Sequence, residues 1–198
     1  SVIDVAAVAD LPKDVESYQS SRTRKHRGNR RRWERKLSEA GDLRYERYRP
    51  EGGGDPRWDL YDECLRIASA SWQNASHTGT TLAHAAIAPF MRDVHEAAAD
   101  AGGLDLNVLY LDDRAVAFTY NYCYQGNVSG LRIGYDPAVK ASGAGALLCA
   151  MSIEDSIRRG DWRYDMGPGN LEHKRHFMSH QMPIYRLSCY QTVSVKQQ

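Results

Sequence analysis

No stretch of this sequence is apolar over the roughly 20 residues a helix needs to cross a bilayer, so no helical membrane span is expected. The opening, Ser1 to Asp10, lacks the basic start of a secretory leader. Cysteine is scarce and scattered. Cys64, Cys123, Cys149 and Cys189 form no Cys-x-x-Cys pair, which argues against a zinc site or a disulfide framework. Buried, reduced thiols in a cytoplasmic protein are the expectation. An excess of one charge is missing too: 26 Lys and Arg face 25 Asp and Glu, and the net charge is +1. No whole-molecule field therefore draws in a polyanion. The chain does not begin with Met, and a fragment or a processed piece of a longer protein is expected.

What is present is ordinary globular composition, 42% hydrophobic and 26% charged over 198 residues, enough for one domain with its own core. Residues 1–20 mix polarities and read as an N-terminal arm or linker ahead of a domain at 21–198. Arg22 to Lys36 departs from the even charge balance, with nine of the 26 basic residues and a single acid. Trp33, Leu37 and Ala40 fall at helical spacing, predicting a helix that ends at Gly41. Its charged side is either a solvated face or a patch for an anionic partner: a glycan, lipid headgroups, CoA phosphates or tRNA. No interleaving of aromatic and basic residues accompanies it, so a sequence-specific nucleic-acid reader is not expected.

Farther along, 43–49 alternates as a strand, Pro50 to Pro56 is a glycine-rich loop, and 57–72 has helical periodicity. Residues 73–80 are polar. A second helix is expected over 81–101, with Pro89 kinking or splitting it. Strands at 104–111, 115–124 and 127–135, joined by short turns, predict an antiparallel meander. A short strand at 164–166, a short helix at 171–178 and closing strands within 184–195 follow. Pattern alone defines a mixed α+β domain.

The chain is organised around Gly126 to Gly160, which reads as strand, glycine loop and helix. Lys140-Ala141-Ser142-Gly143-Ala144-Gly145 opens an amphipathic run with Leu147, Ala150, Met151 and Ile157 near one face. Such a loop suits an anion, because glycines admit a close backbone approach and the first helical N–H groups are unpaired. It also suits a plain strand-to-helix connection. It is neither a P-loop nor a dinucleotide Gly-x-Gly-x-x-Gly motif, since Leu148 stands where the last glycine would be.

These residues resemble the pyrophosphate loop of GNAT acyltransferases, Arg/Gln-x-x-Gly-x-Gly/Ala, with Lys140 where that pattern has Arg or Gln. A second stretch, Trp162 to Phe177 with Tyr164-Asp165-Met166-Gly167 and Lys174-x-x-Phe177, is similar to the signature of the CelD/BcsL-like branch, related to Fem-type peptidyltransferases. Trp72 in Ala70-Ser71-Trp72-Gln73 also looks like that branch. The resemblance covers roughly residues 21–177. It implies an α/β GNAT fold, a mostly antiparallel twisted sheet flanked by helices, in a chain that is the C-terminal half of a two-domain protein. It implies acetyl-CoA or another acyl-CoA as substrate, no metal, and an amine-bearing small molecule, sugar or peptide as acceptor. A homodimer is a further expectation.

The same resemblance assigns cofactor contacts to the backbone of Leu131, Arg132 and Ile133 and to Lys140, Ala141, Ser142, Gly143, Ala144, Gly145 and Ala146. It makes Lys174 a binder of anionic acceptor or tetrahedral charge. Asp165 is an orienting residue, or else a turn acid before Gly-Pro-Gly. His176 is the chosen general base, with Tyr122 and Tyr124 as alternatives. His173, His176 and His180 share one side of an extended helix, where a metal site would be conceivable. Trp72, Gln73 and His77 would form an acceptor wall or cap the core. Two other readings stay open: aminoacyl transfer from charged tRNA, prompted by the basic helix, and a non-catalytic module in envelope or exopolysaccharide production.

Overall fold

The segment expected to be an arm is a strand inside the sheet. In a computed structural model describing residues 2–50, 52–71 and 81–189, β1 (Val2–Asp10) lies between two other strands. Ala6 to Ala9 are at most 1% exposed. Successive residues point to opposite faces, so both faces are buried here and small apolar side chains replace the alternation by which a half-buried strand is recognised. The arm is therefore corrected: residues 2–10 belong to the fold.

The remaining elements are α1 (Val15–Ser21), α2 (Arg24–Ser38), β2 (Leu43–Tyr48), α3 (Trp58–Ala70), α4 (Ala88–Asp100), β3 (Leu104–Leu111), β4 (Arg114–Tyr124) and β5 (Asn127–Tyr135). A 3-10 turn (Pro137–Ser142), α5 (Ala144–Arg158), β6 (Arg163–Asp165), α6 (Leu171–Lys174) and β7 (His180–Tyr185) complete the described chain. The seven strands run in the order β2-β3-β4-β5-β6-β1-β7, antiparallel except for β5 beside β6. This is the expected α/β class, a seven-stranded sheet flanked by helices.

Alternation along β3 and β4 sends side chains to two different cores. Leu104, Leu106, Val108, Phe118 and Tyr120 pack under α3 and α4 with Tyr61, Cys64, Ile67 and Met91. Leu109, Val116 and Ala117 meet Leu147 and Leu148 of α5 and Leu37 of α2. Helix α4 starts at Ala88 rather than at Thr81, with Pro89 in its first turn. Proline has no N–H to donate and is tolerated only there, so it marks the start of the helix rather than a kink. The closing strand lies at 180–185, earlier than expected, and 190–198 fall outside the described residues. Cys64 is buried as expected, but Cys189 is exposed.

Candidate active site

Strand β5 pairs with β4 along its length, with Leu131 bulged out where the register shifts. On its other side it runs parallel to β6 for three pairs only: Asn127 with Arg163, Val128 with Tyr164, and Ser129 with Asp165. The chain after β6 then leaves β5 and follows β1. Met166 N–H donates to Ala7 O at 2.9 Å, and Ala7 N–H donates to Gly167 O at 3.3 Å. Two glycines occupy the fork. A Cβ on Gly130 would lie 2.9 Å from Asp165 O, and one on Gly167 would lie 3.0 Å from Gly130 O. Gly167 also has φ +69°, which favours glycine. Beyond the fork, Leu131 to Ile133 continue without β6 beside them.

Asp165 and Lys174 meet at the loop that turns away. Gly167 N–H donates to Asp165 Oδ1 at 2.7 Å, while Lys174 Nζ donates to Gly167 O at 3.0 Å and Pro168 O at 2.6 Å. Both side chains hydrogen-bond the backbone of this loop. Burial pulls the Lys174 ammonium below its ordinary pKa, against the opposing pull of Cys149, Asp165 and Asp4.

His176 turns toward the basic helix instead. Its ring stacks on His26 of α2 at 6.0 Å, and its Nε2 accepts from Arg175 Nε at 3.3 Å. Burial, with His176 and Arg22 nearby, holds His26 below the usual imidazole pKa. The three histidines do not share a helix face, because α6 stops at Lys174 and His180 opens β7, where it meets Asp10 Oδ2 at 3.0 Å. Among the described residues no three His, Cys, Asp or Glu side chains gather to hold a metal.

The glycine loop is a 3-10 turn followed by Gly143 at φ +82° and the uncapped start of α5. A Cβ on Gly143 would lie 2.3 Å from Trp33 Cδ1, so the indole of the basic helix rests on this glycine. The left-handed φ and this contact both favour glycine here. Gly145 faces the Tyr135 ring, with 3.2 Å left for a Cβ, and the N–H groups of Ala144, Gly145 and Ala146 form the first turn of α5. The side chains of Lys140, Ala141 and Ser142 lie outside the described residues, as do Trp72, Gln73 and His77.

The basic helix divides its charge. Arg22 donates to Phe177 O and Met178 O, Arg27 to Gln19 O, and Arg30 binds Glu154 through Nε at 2.8 Å and Nη2 at 2.9 Å. Arg27 and Arg30 dock α2 onto the fold, and Arg22, at the end of α1, ties the start of this basic stretch to the chain after α6. Arg24, Lys25, Arg31 and Arg32 are exposed and carry no ion pair among the described residues.

Two clusters were not foreseen. Under α5, Arg47 binds Asp105 through two 2.8 Å hydrogen bonds and reaches Ser152 O, Asp155 and Ser156, while Arg49 binds Asp161. Burial pushes the Asp105 carboxyl up, but Arg47 and Arg49 more than offset it, and its pKa is held below the ordinary value. On the opposite face, His95 Nε2 lies 2.5 Å from Pro56 O, which can only accept, so Nε2 carries the proton. Nδ1 then accepts from the Tyr120 hydroxyl at 2.9 Å. Beside Tyr120 stand Tyr122 and, directly across the β4–β5 pair, Arg132. Buried polar letters within apolar strands were the available signal.

A sheet whose parallel pair parts at a glycine fork, with an uncapped helix following the first of the two strands, is the α/β arrangement in which the candidate site lies. Residues 24–175 match the family described as Acetyltransferase (GNAT) domain. That span is most of the chain, which belongs to this family. No curated protein sequence matches it. Among solved structures it is similar to FemX, at 9% identity and TM-score 0.63, covering 91% of this chain and 60% of that one. It is also similar to a conserved protein of unknown function from Bacteroides thetaiotaomicron, at 15% identity and TM-score 0.56, covering 88% and 54%. These likenesses concern the fold, and the chain spans little more than half the length of either structure. No helix among the described residues is long and apolar enough to cross a membrane.

Proposed function

We propose that this chain transfers an acyl group, most simply acetyl, from acyl-CoA to a primary amine on a small molecule, sugar or peptide. The observation that carries this reading is the parting of β5 from β6 at Gly130. The thioester would lie along Leu131, Arg132 and Ile133, where backbone donors can stabilise the oxyanion. The pyrophosphate would sit on the N–H groups of Ala144, Gly145 and Ala146, after the turn from Lys140 through Gly143. The neutral amine attacks the thioester carbon, the C–S bond breaks, and CoA leaves as thiolate. The amine proton passes to a base, either water or His176 once Arg175 releases its Nε2. Asp165 and Lys174 keep the Gly167–Pro168 loop clear of β5. The finer placement beside the CelD/BcsL-like branch rests on the Tyr164 to Phe177 signature, and the chain would act as the C-terminal half of a longer protein.

The test is calorimetric titration with acetyl-CoA and with CoA at low and moderate salt. Micromolar binding is expected, and Ile133→Asp, which sets a carboxylate at the fork, weakens it roughly tenfold through charge repulsion with the cofactor. A folded chain that binds neither compound at either salt overturns the reading.

A second reading, with an aminoacyl group arriving on tRNA, is supported by the outward face of Arg24, Lys25, Arg31 and Arg32. Binding to tRNA should then fall steeply with salt. Absence of binding at low salt removes it, and a chain that binds neither donor would be a non-catalytic module.

A further inference from the structure

Arg132 is a half-buried guanidinium with no carboxylate paired to it among the described residues. Burial lowers its pKa, and the influence opposing this comes from Tyr122. One of its three nitrogens is engaged: Nη1 donates to Leu131 O at 2.6 Å. Nε is buried without a partner. The Nε–Nη2 edge, with two parallel N–H groups, is thus the edge left over. The Tyr122 hydroxyl on the adjacent strand is also buried and makes no hydrogen bond of ordinary geometry, with only the Tyr120 hydroxyl close to it. A buried donor without an acceptor destabilises a fold until an acceptor arrives, and native structures keep few of them. The two groups, one of them cationic, flank the fork on the face covered by α3, Arg132 just past it and Tyr122 across from Ser129 just before it.

We infer that Arg132 and Tyr122 bind a carboxylate on the acceptor, so that the substrate class is an amino acid or a peptide rather than a simple amine or an amino sugar. This rests on the amine-acceptor reading above. The two oxygens of a carboxylate match the free Nε–Nη2 edge, and a planar bidentate pair fixes orientation as well as charge. The Tyr122 hydroxyl supplies a third donor. Anchored there, the acceptor presents its amine to the thioester along Leu131 to Ile133. Arg132 is a specificity residue: it holds the acceptor and takes no part in moving the proton.

The first test does not need acyl transfer. The ¹⁵N resonance of the Arg132 Nε–H, identified by its loss in Arg132→Met, is followed while glycine, alanine, γ-aminobutyrate or dialanine is added, each against its carboxamide. Saturable shifts with at least one acid, and none with its amide, are expected by about 50 mM, well above the millimolar range open to a few charge-assisted hydrogen bonds. No shift with any acid, or equal shifts with acid and amide, overturns the inference. So does a tighter response to phosphoethanolamine than to every carboxylate, which would make the site one for phosphate. The second test is the ratio of kcat/KM for acid over amide with acetyl-CoA as donor. That ratio should be about a hundredfold in favour of the acid and fall toward one in Arg132→Met, with Arg132→Lys restoring only part, because an ammonium keeps the charge but lacks the fork. A chain that shows the resonance shift yet binds no acyl-CoA would disprove the donor and leave the carboxylate site standing, so the two readings fail separately.

Discussion

Arg47 and Arg132 are two arginines on strands of one sheet, facing opposite sides under opposite conditions. Arg47, whose side chain is 1% exposed, has its charge matched by Asp105 and its remaining donors taken by Ser152, Asp155 and Ser156. Arg132 is less buried and has one hydrogen bond, to its neighbour's carbonyl. The first is what a fold does with a charge it must bury: every donor finds an acceptor, and the group becomes structural. The second is what a fold does with a charge held for something else. The difference separates a scaffold from a site more sharply than composition does, since both residues sit in strands that mix polar and apolar side chains.

The largest effect should come from breaking the saturated side. Arg47→Met strands the Asp105 carboxylate and should lower stability by about 3–5 kcal/mol. For a chain of this size that is roughly 6–20 °C in Tm, read by thermal melting. Arg132→Met should move stability by less than about 1 kcal/mol in either direction. Equal losses at the two positions would erase the distinction.

Next in size is the contact of Trp33 with Gly143. Gly143→Ala forces a side chain into left-handed φ and against the indole, at a combined cost of about 2–4 kcal/mol. In a Trp33→Ala background the steric part disappears, so urea unfolding of the double-mutant cycle should show coupling above about 1 kcal/mol. Coupling near zero would mean that the backbone conformation alone demands glycine. For the same reason a loss of CoA affinity in any Gly143 variant would report on folding as much as on binding.

Asp105 makes the comparison sensitive to pH. Its folded pKa lies below the ordinary aspartate value of about 3.9, so its contribution is present above that value and is lost as pH falls below it toward the folded pKa. Urea midpoints should therefore drop below about pH 4, and Asp105→Asn should flatten that limb. An unchanged limb would show that other carboxylates drive acid unfolding.

The smallest effect belongs to the outward face of α2. Arg31→Ser with Arg32→Ser should stay within about 0.5 kcal/mol of the parent in stability while weakening any polyanion binding. A large loss of stability would show that these side chains are structural like Arg30.

Much of the fold was legible in the sequence. The bounds of β5, Asn127 and Tyr135, follow from turn residues and alternation, and α5 follows from its apolar face. Strand β1 was not legible: with Ala6 to Ala9 buried it shows no period of two, and its partners, β6 and β7, lie at the other end of the chain. The start of α4 was misjudged because apolar spacing continues through Thr81 to Ile87 while only Pro89 marks the first turn. At the site, the loop and the strand along Leu131 to Ile133 could be named, but the backbone contacts of Asp165 and Lys174 depend on where Gly167 goes. Arg132 was visible only as backbone, because one strand's letters do not say whether a partner waits across the sheet.

By itself the sequence determined the local periods, the turns, the place of the glycine loop and the density of positive charge in α2. Each of these depends on residues within a few positions of one another. Only the tertiary structure decided that Asp105 is neutralised by Arg47, that Trp33 rests on Gly143, that the chain after β6 leaves β5 and follows β1, and that Arg132 has no carboxylate beside it among the described residues. Each of those outcomes is set by what a distant element brings to the same place, and a local pattern records which face of an element is apolar without recording what covers it.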